Sequence, residues 1–164
     1  MKKAAVIMGS DSDLPVVEKT INTLKELGIP VQVHVYSAHR TPDEARDFAL
    51  NAADRGFGVI IAAAGMAAHL AGAMAANSVL PVIGIPLSSS VLDGMDALLS
   101  TAMMPPGVPV ACVGINGAVN AAVLAAQILA LGDPALAERL RDYKKAAAEK
   151  VKNKNAAIEE KYND

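Results

Sequence analysis

Ser37-Ala38-His39-Arg40-Thr41-Pro42 sets an imidazole beside a guanidinium. The first exchanges a proton near neutrality; the second stays charged and offers a planar fork of donors. Together they suit acid/base chemistry on a small anionic ligand such as a monophosphate. The pair follows an alternating apolar run, Val31 to Tyr36, and precedes a helix-start signal, with Thr41 as N-cap, Pro42 at the first helical position and Glu44 as reciprocal partner in a capping box. His39 and Arg40 are therefore expected where a strand end meets a helix start. A second polar stretch, Gly9-Ser10-Asp11-Ser12-Asp13, follows the apolar run Ala4 to Met8 and offers hydroxyls, backbone N–H groups and a helix start. It lacks the Gly-Lys-Ser/Thr of a P-loop and the spacing of a dinucleotide fingerprint. Asp13 there serves equally as a helix N-cap or as a binder of sugar hydroxyls. Read from residue types alone, Arg40 fits a surface ion pair as readily as a phosphate, and His39 a satisfied loop histidine as readily as a catalyst. His69, near the start of an Ala-rich helix, fits packing or a site, and His34, inside a strand, reads as structural.

These residues need a scaffold that brings strand ends together, and the chain supplies a βα alternation repeated five times. Strands are expected at Ala4–Met8, Val31–Tyr36, Val59–Ala63, Val82–Ile85 and Val108–Val113. Helices are expected at Leu14–Leu27, Pro42–Arg55, about Ala67–Asn77, Gly94–Ala102, Ala118–Leu131 and Pro134 to about Tyr162, the last Lys/Glu-rich and reaching out from the body. Such alternation implies an α/β fold, a parallel five-stranded sheet with right-handed crossovers and helices on both faces. The polar and glycine-bearing loops all follow strands: Gly9 to Asp13, Ser37 to Thr41, Ala64 to His69, Pro86 to Ser90 and Gly114 to Asn116. Ligands of such sheets bind outside the carboxyl ends of the strands, so this asymmetry places the site.

Composition narrows the partners. The chain has 164 residues, net charge -2 and three histidines, and a pI of about 5.9. One domain is expected over residues 1–164, a βα core at 1–133 and a C-terminal helix at 134–164. Nothing resembles a basic footprint for nucleic acid or an anionic membrane. Cys112 is the only cysteine, which excludes an internal disulfide and fits a cytoplasmic location. The histidines lack metal-ligand spacing, and no Gly-x-Ser-x-Gly elbow occurs, so neither a metal centre nor serine hydrolysis is expected. No targeting segment is expected at Met1-Lys2-Lys3. Phe57 to Leu92 carries no charged residue, but its glycines, Pro81 and Pro86 argue against a membrane span. No Lys or Arg occurs from Gly56 to Glu138, more weakly polar surface than a monomer readily exposes, so a homo-oligomer is expected.

Met8-Gly9-Ser10-Asp11-Ser12-Asp13, Ser37-Ala38-His39-Arg40-Thr41-Pro42, Val59-Ile60-Ile61-Ala62 through Ala67-Ala68-His69-Leu70, and Asn120 through Gln127-Ile128-Leu129 resemble, in order, the 5-(carboxyamino)imidazole ribonucleotide mutase family, also called the catalytic subunit of phosphoribosylaminoimidazole carboxylase. The resemblance implies a flavodoxin-like three-layer αβα fold, an octamer, a ribonucleotide substrate and no metal or organic cofactor. The implied reaction, in purine biosynthesis, moves a carboxylate from the exocyclic nitrogen to carbon 4 of an aminoimidazole ribonucleotide. His39 would be the general acid/base. Ser10, Asp13 and Arg40 would bind the substrate, with Ser37, Gly65 and His69 in support.

The family also has a branch that adds free carbon dioxide to the unmodified ribonucleotide; the motifs around His39 and His69 look like the mutase branch. Three departures stand out. Met66 occupies a position where the family loop has glycine, Gly114 to Ala118 is about one residue short, and Met103 replaces a glutamine. A binding protein without chemistry, using the same flavodoxin-like loops to hold a nucleotide, is the alternative from another class.

Overall fold

The computed structural model describes residues 1–163. Five strands, β1 (Lys3–Met8), β2 (Val31–Val35), β3 (Phe57–Gly65), β4 (Val82–Leu87) and β5 (Ala111–Cys112), alternate with helices α1 (Leu14–Glu26), α2 (Pro42–Asn51), α3 (Leu70–Asn77), α4 (Met95–Ala102) and α5 (Ala118–Ala130), and α6 (Pro134–Tyr162) follows. The sheet is parallel throughout in the order β2-β1-β3-β4-β5. That is the flavodoxin-like doubly wound order, with its switch point between β1 and β3.

Residues of the central strands alternate between two apolar layers. Ala4, Val6 and Met8 of β1, with Val59, Ile61 and Ala63 of β3, pack beneath α1, α5 and the start of α6. Ala5 and Ile7, with Ile60 and Ala62, face α2 and α3 on the other side through Phe48, Leu70 and Met74. The uncharged stretch from Phe57 to Leu92 buries its two strands, β3 and β4, in the core, and no helix among the described residues is long and apolar enough to cross a membrane. A buried hydroxyl, Thr20 Oγ1, donates to the Ala118 carbonyl at 2.9 Å and ties α1 to α5.

The sequence-expected boundaries need four corrections. α2 stops at Asn51, before Arg55, because the chain tightens into turns closed by Gly56 at φ +84°. α3 begins at Leu70, three residues late, because Met66 adopts a left-handed turn. β5 shrinks to Ala111–Cys112, since Pro109 cannot donate to the ladder and such residues are confined to strand ends and edges. β3 lengthens to Phe57–Gly65, reaching two residues further towards the site. α6 matches its expected span; its 29 residues extend roughly 44 Å at 1.5 Å per residue, and from Lys144 onward every described residue is exposed.

Small residues let α3 and α4 sit close to the sheet. A methyl group on Gly84, in the middle of β4, would collide with Thr101 Cγ2 and lie 3.0 Å from Val110 Cγ1 and 3.2 Å from Ala71 Cβ. Gly84→Ala is therefore expected to destabilise the chain by about 1–3 kcal/mol, read as a lower urea midpoint with an unchanged slope.

Candidate functional site

The ends of β1, β2, β3 and β4 surround a cavity of 480 Å³ lined by their loops. After β1, the Gly9 N–H donates to the Ala63 carbonyl at 3.1 Å, holding the two switch-point strands together just past the end of β1. Ser10 then caps a single 3-10 turn, Asp11–Asp13. The Ser10 N–H donates to Asp13 Oδ2 at 3.1 Å, and Ser12 Oγ donates to Ser10 Oγ at 2.9 Å. Asp13 does not cap α1 with its side chain, contrary to the N-cap reading, because its carboxylate is turned back onto Ser10. Burial pushes the Asp13 carboxyl above its ordinary range, opposed by backbone hydrogen bonds from Ser10 and Gly9 and by the Arg40 charge, with Asp11 adding to the rise.

After β2, one threonine shapes the loop that presents His39 and Arg40. Thr41 Oγ1 accepts from the Ser37 N–H at 2.8 Å and donates to the Ser37 carbonyl at 3.3 Å, while the Thr41 N–H reaches that same carbonyl at 2.9 Å. The expected capping box at Thr41 and Glu44 is absent because the hydroxyl is committed to this turn. Ser37 Oγ accepts from the Arg40 N–H at 3.2 Å, and Arg40 Nη2 donates to the Gly9 carbonyl at 3.2 Å, which draws the guanidinium over the β1 loop. Arg40 is the only Lys or Arg lining the cavity.

After β3, the loop Met66–His69 brings a second imidazole to the first. His39 Nε2 lies 2.8 Å from His69 Nδ1, with the rings edge-on at 4.9 Å between centroids. One of the two facing nitrogens must carry a proton and the other must not. Ser100 of α4 fixes this loop from behind: its Oγ accepts from the Ala68 N–H at 3.1 Å and donates to the Asp96 carbonyl at 2.7 Å. Gly65 lines the cavity, but the left-handed φ falls on Met66, at +54°. After β4, Leu87, Ser88 and Ser89 complete the wall.

Ser10, Asp13, Ser37, His39, Arg40, Gly65 and His69 thus all border one cavity. His34 lies elsewhere, stacked on Tyr36 and against Phe48 beneath α2. The loop Gly114–Asn116 does not enter the cavity; Asn116 instead braces its rim, accepting from the Ser88 N–H at 3.1 Å and donating to Ser88 Oγ at 2.8 Å. Sequence reasoning did not single out Ser12, the second hydroxyl of the β1 loop, and missed Ser100, which lies inside a helix without any local signal. Among the described residues no His, Cys, Asp and Glu side chains gather as a metal would require.

A cavity lined by polar and apolar side chains at the switch point of a β2-β1-β3-β4-β5 sheet defines a flavodoxin-like α/β protein with a strand-end site. The chain belongs to the AIR carboxylase family, whose model matches residues 3–150. It is 50% identical over 155 residues to the N5-carboxyaminoimidazole ribonucleotide mutase of Pyrococcus horikoshii, covering 94% of this chain and 88% of that one. The mutase of Thermotoga maritima is 48% identical over 160 residues, covering 98% and 94%. The crystal structure of Treponema denticola PurE superposes with a TM-score of 0.84 at 29% identity, covering 98% of both chains.

The raised carboxyl of Asp13 has a signed consequence. A carboxyl whose folded value lies above its unfolded one favours the fold while protonated, and that contribution is lost as pH rises through the folded value. Asp13→Asn keeps an acceptor for Ser10 without the charge. It is expected to raise the melting temperature at pH 7, by a margin that shrinks on acidification and vanishes below the ordinary carboxylate range. Thermal melts of both proteins between pH 3.5 and 7.5 check this.

Proposed function

We propose that this protein is a mutase that converts 5-(carboxyamino)imidazole ribonucleotide to 4-carboxy-5-aminoimidazole ribonucleotide in purine biosynthesis. One observation carries the reading: His39 and Arg40 stand side by side on a cavity at the switch point, in a chain half identical to enzymes bearing that name. Arg40, with the hydroxyls of Ser10, Ser12 and Ser37 around it, offers a charged fork and neutral partners to the ribonucleotide phosphate. Asp13 faces the same space and accepts from ribose hydroxyls. The reaction itself is an isomerisation. The carbamate N–C bond breaks with its electron pair left on nitrogen, which takes a proton from His39 as carbon dioxide departs. Carbon 4 then attacks the retained carbon dioxide, and its proton returns to His39. A single imidazole serves both steps because the exocyclic nitrogen is attached to carbon 5, the ring neighbour of carbon 4. Orientation and the exclusion of water supply the rest.

His69 is assigned a positioning role, holding the His39 ring through the 2.8 Å bond. The assembly is inferred to be a homo-oligomer, an octamer as in the family it resembles, acting in the cytoplasm. Supporting the oligomer, Val91, Leu92, Met95, Leu99 and Met103 expose apolar side chains in and around α4, and Val33 and Val35 do so on the edge strand. Light scattering on the purified protein measures its mass.

Carbon NMR with carbamate-labelled substrate in unlabelled bicarbonate tests the reaction. Label kept on carbon 4 is the expected result; product formed with the label washed out would instead mark a carboxylase of free carbon dioxide, and no product above the spontaneous background a binding protein. His39→Asn is expected to lower kcat by about 100- to 10,000-fold while product affinity, measured by calorimetry, stays within about threefold. His69→Asn is expected to lower kcat by about 10- to 100-fold with KM nearly unchanged and to shift the pH profile of kcat, whereas Arg40→Met should act chiefly on KM.

A further inference from the structure

Met66 is a strained residue with no visible return for its strain. At φ +54° an L side chain is disfavoured by roughly 1–2 kcal/mol relative to ordinary backbone. Non-glycine residues persist there when the surroundings over-determine them. The surroundings here are Ser100, which holds the Ala68 N–H and approaches the Met66 carbonyl at 3.4 Å. Yet the thioether side chain is 65% exposed, so burial within this chain does not offset the cost. What the conformation does achieve is placement, because Met66 lines the cavity together with His39 and Arg40. The cavity has an apolar stretch: Asp13 and Arg40 come from the β1 and β2 loops, while Ala64, Met66, Leu70 and Leu87 bring apolar surface from the β3 and β4 side, with His69, Ser88 and Ser89 beside them.

We propose that Met66 is the cover that keeps carbon dioxide in the site between its departure from nitrogen and its capture by carbon 4. This rests on the mutase reading above. Carbon dioxide is neutral once released, so no cation holds it; an apolar surface and a closed mouth must. A methionine has three rotatable side-chain bonds and a polarizable sulfur, so it can lie over a bound imidazole ring and fit an irregular gap. Its exposure leaves the side chain free to make that movement. Ser100 acts through it, as a positioning residue that keeps the loop in the left-handed turn.

The test is a partition measurement. Wild type, Met66→Leu, Met66→Ala and Met66→Gly are each given carbamate-labelled substrate in unlabelled bicarbonate. Two quantities are read by NMR, the label retained on carbon 4 and the decarboxylated aminoimidazole ribonucleotide released per turnover. Wild type and Met66→Leu are expected to retain the label, and the Ala and Gly variants to lose about tenfold more of it. Gly removes the strain and Ala keeps it, so Met66→Gly should melt at or above the wild-type temperature, which separates leakage from misfolding. Retention by Ala and Gly equal to wild type overturns the proposal and leaves the mutase reading standing. If wild type itself forms product with the label washed out, or forms none, the mutase reading fails and the cover goes with it.

Discussion

The hydrogen bond from the Gly9 N–H to the Ala63 carbonyl is the last tie between β1 and β3, and the site depends on it. The two strands are paired in register from Ala4 opposite Val59 to Met8 opposite Ala63, and both are buried on both faces. Beyond that tie their loops must part, because the chain leaves β1 for one face of the sheet and β3 for the other. The gap that opens is the cavity. Parallel pairing makes it unavoidable, since each strand must cross over before the next begins. Everything chemical follows from which side chains the four loops carry into that gap.

Most of this was legible in the sequence, for reasons that differ by element. β1, β3 and β4 announce themselves as short apolar runs because both faces are covered. α1 and α6 carry Pro in the first turn and α1 a following Gly28, so their limits followed from backbone chemistry. The polar residues after strands pointed to the strand-end site before any geometry was known. The failures are equally physical. Thr41 and Asp13 suit helix caps by type and spacing, but each spends its side chain on the turn before the helix, Thr41 on Ser37 and Asp13 on Ser10. The contact of His39 with His69 joins residues thirty apart in sequence, and no periodicity encodes it. Ser100 is invisible for the same reason, being a helix residue whose partner is a loop.

The division of labour between loops is unusually sharp. The β1 and β2 loops are rich in hydroxyls and hold the guanidinium, and they make their own hydrogen bonds within a few residues: Ser10 with Ser12 and Asp13, Ser37 with Thr41 and Arg40. The β3 and β4 loops bring the apolar side chains, alongside His69, Ser88 and Ser89, and are braced from outside, by Ser100 and Asn116. Locally closed turns fix polar groups whose direction matters. Externally braced turns fix a surface whose shape matters.

That contrast bears on how the protein comes to life as its chain is made. The Ser37–Thr41 turn closes within five residues and can form on an unfinished chain, so the loop that carries His39 acquires its local shape early. The apolar wall cannot, because Ser100 lies 34 residues beyond Met66 and Asn116 lies 28 beyond Ser88, and pairing at such separations is slow. A nascent chain therefore shapes the loop of His39 well before it builds the facing wall. Because His39 gains its tertiary partner, His69, only when the β3 loop is set, the complete cavity appears only with the finished sheet.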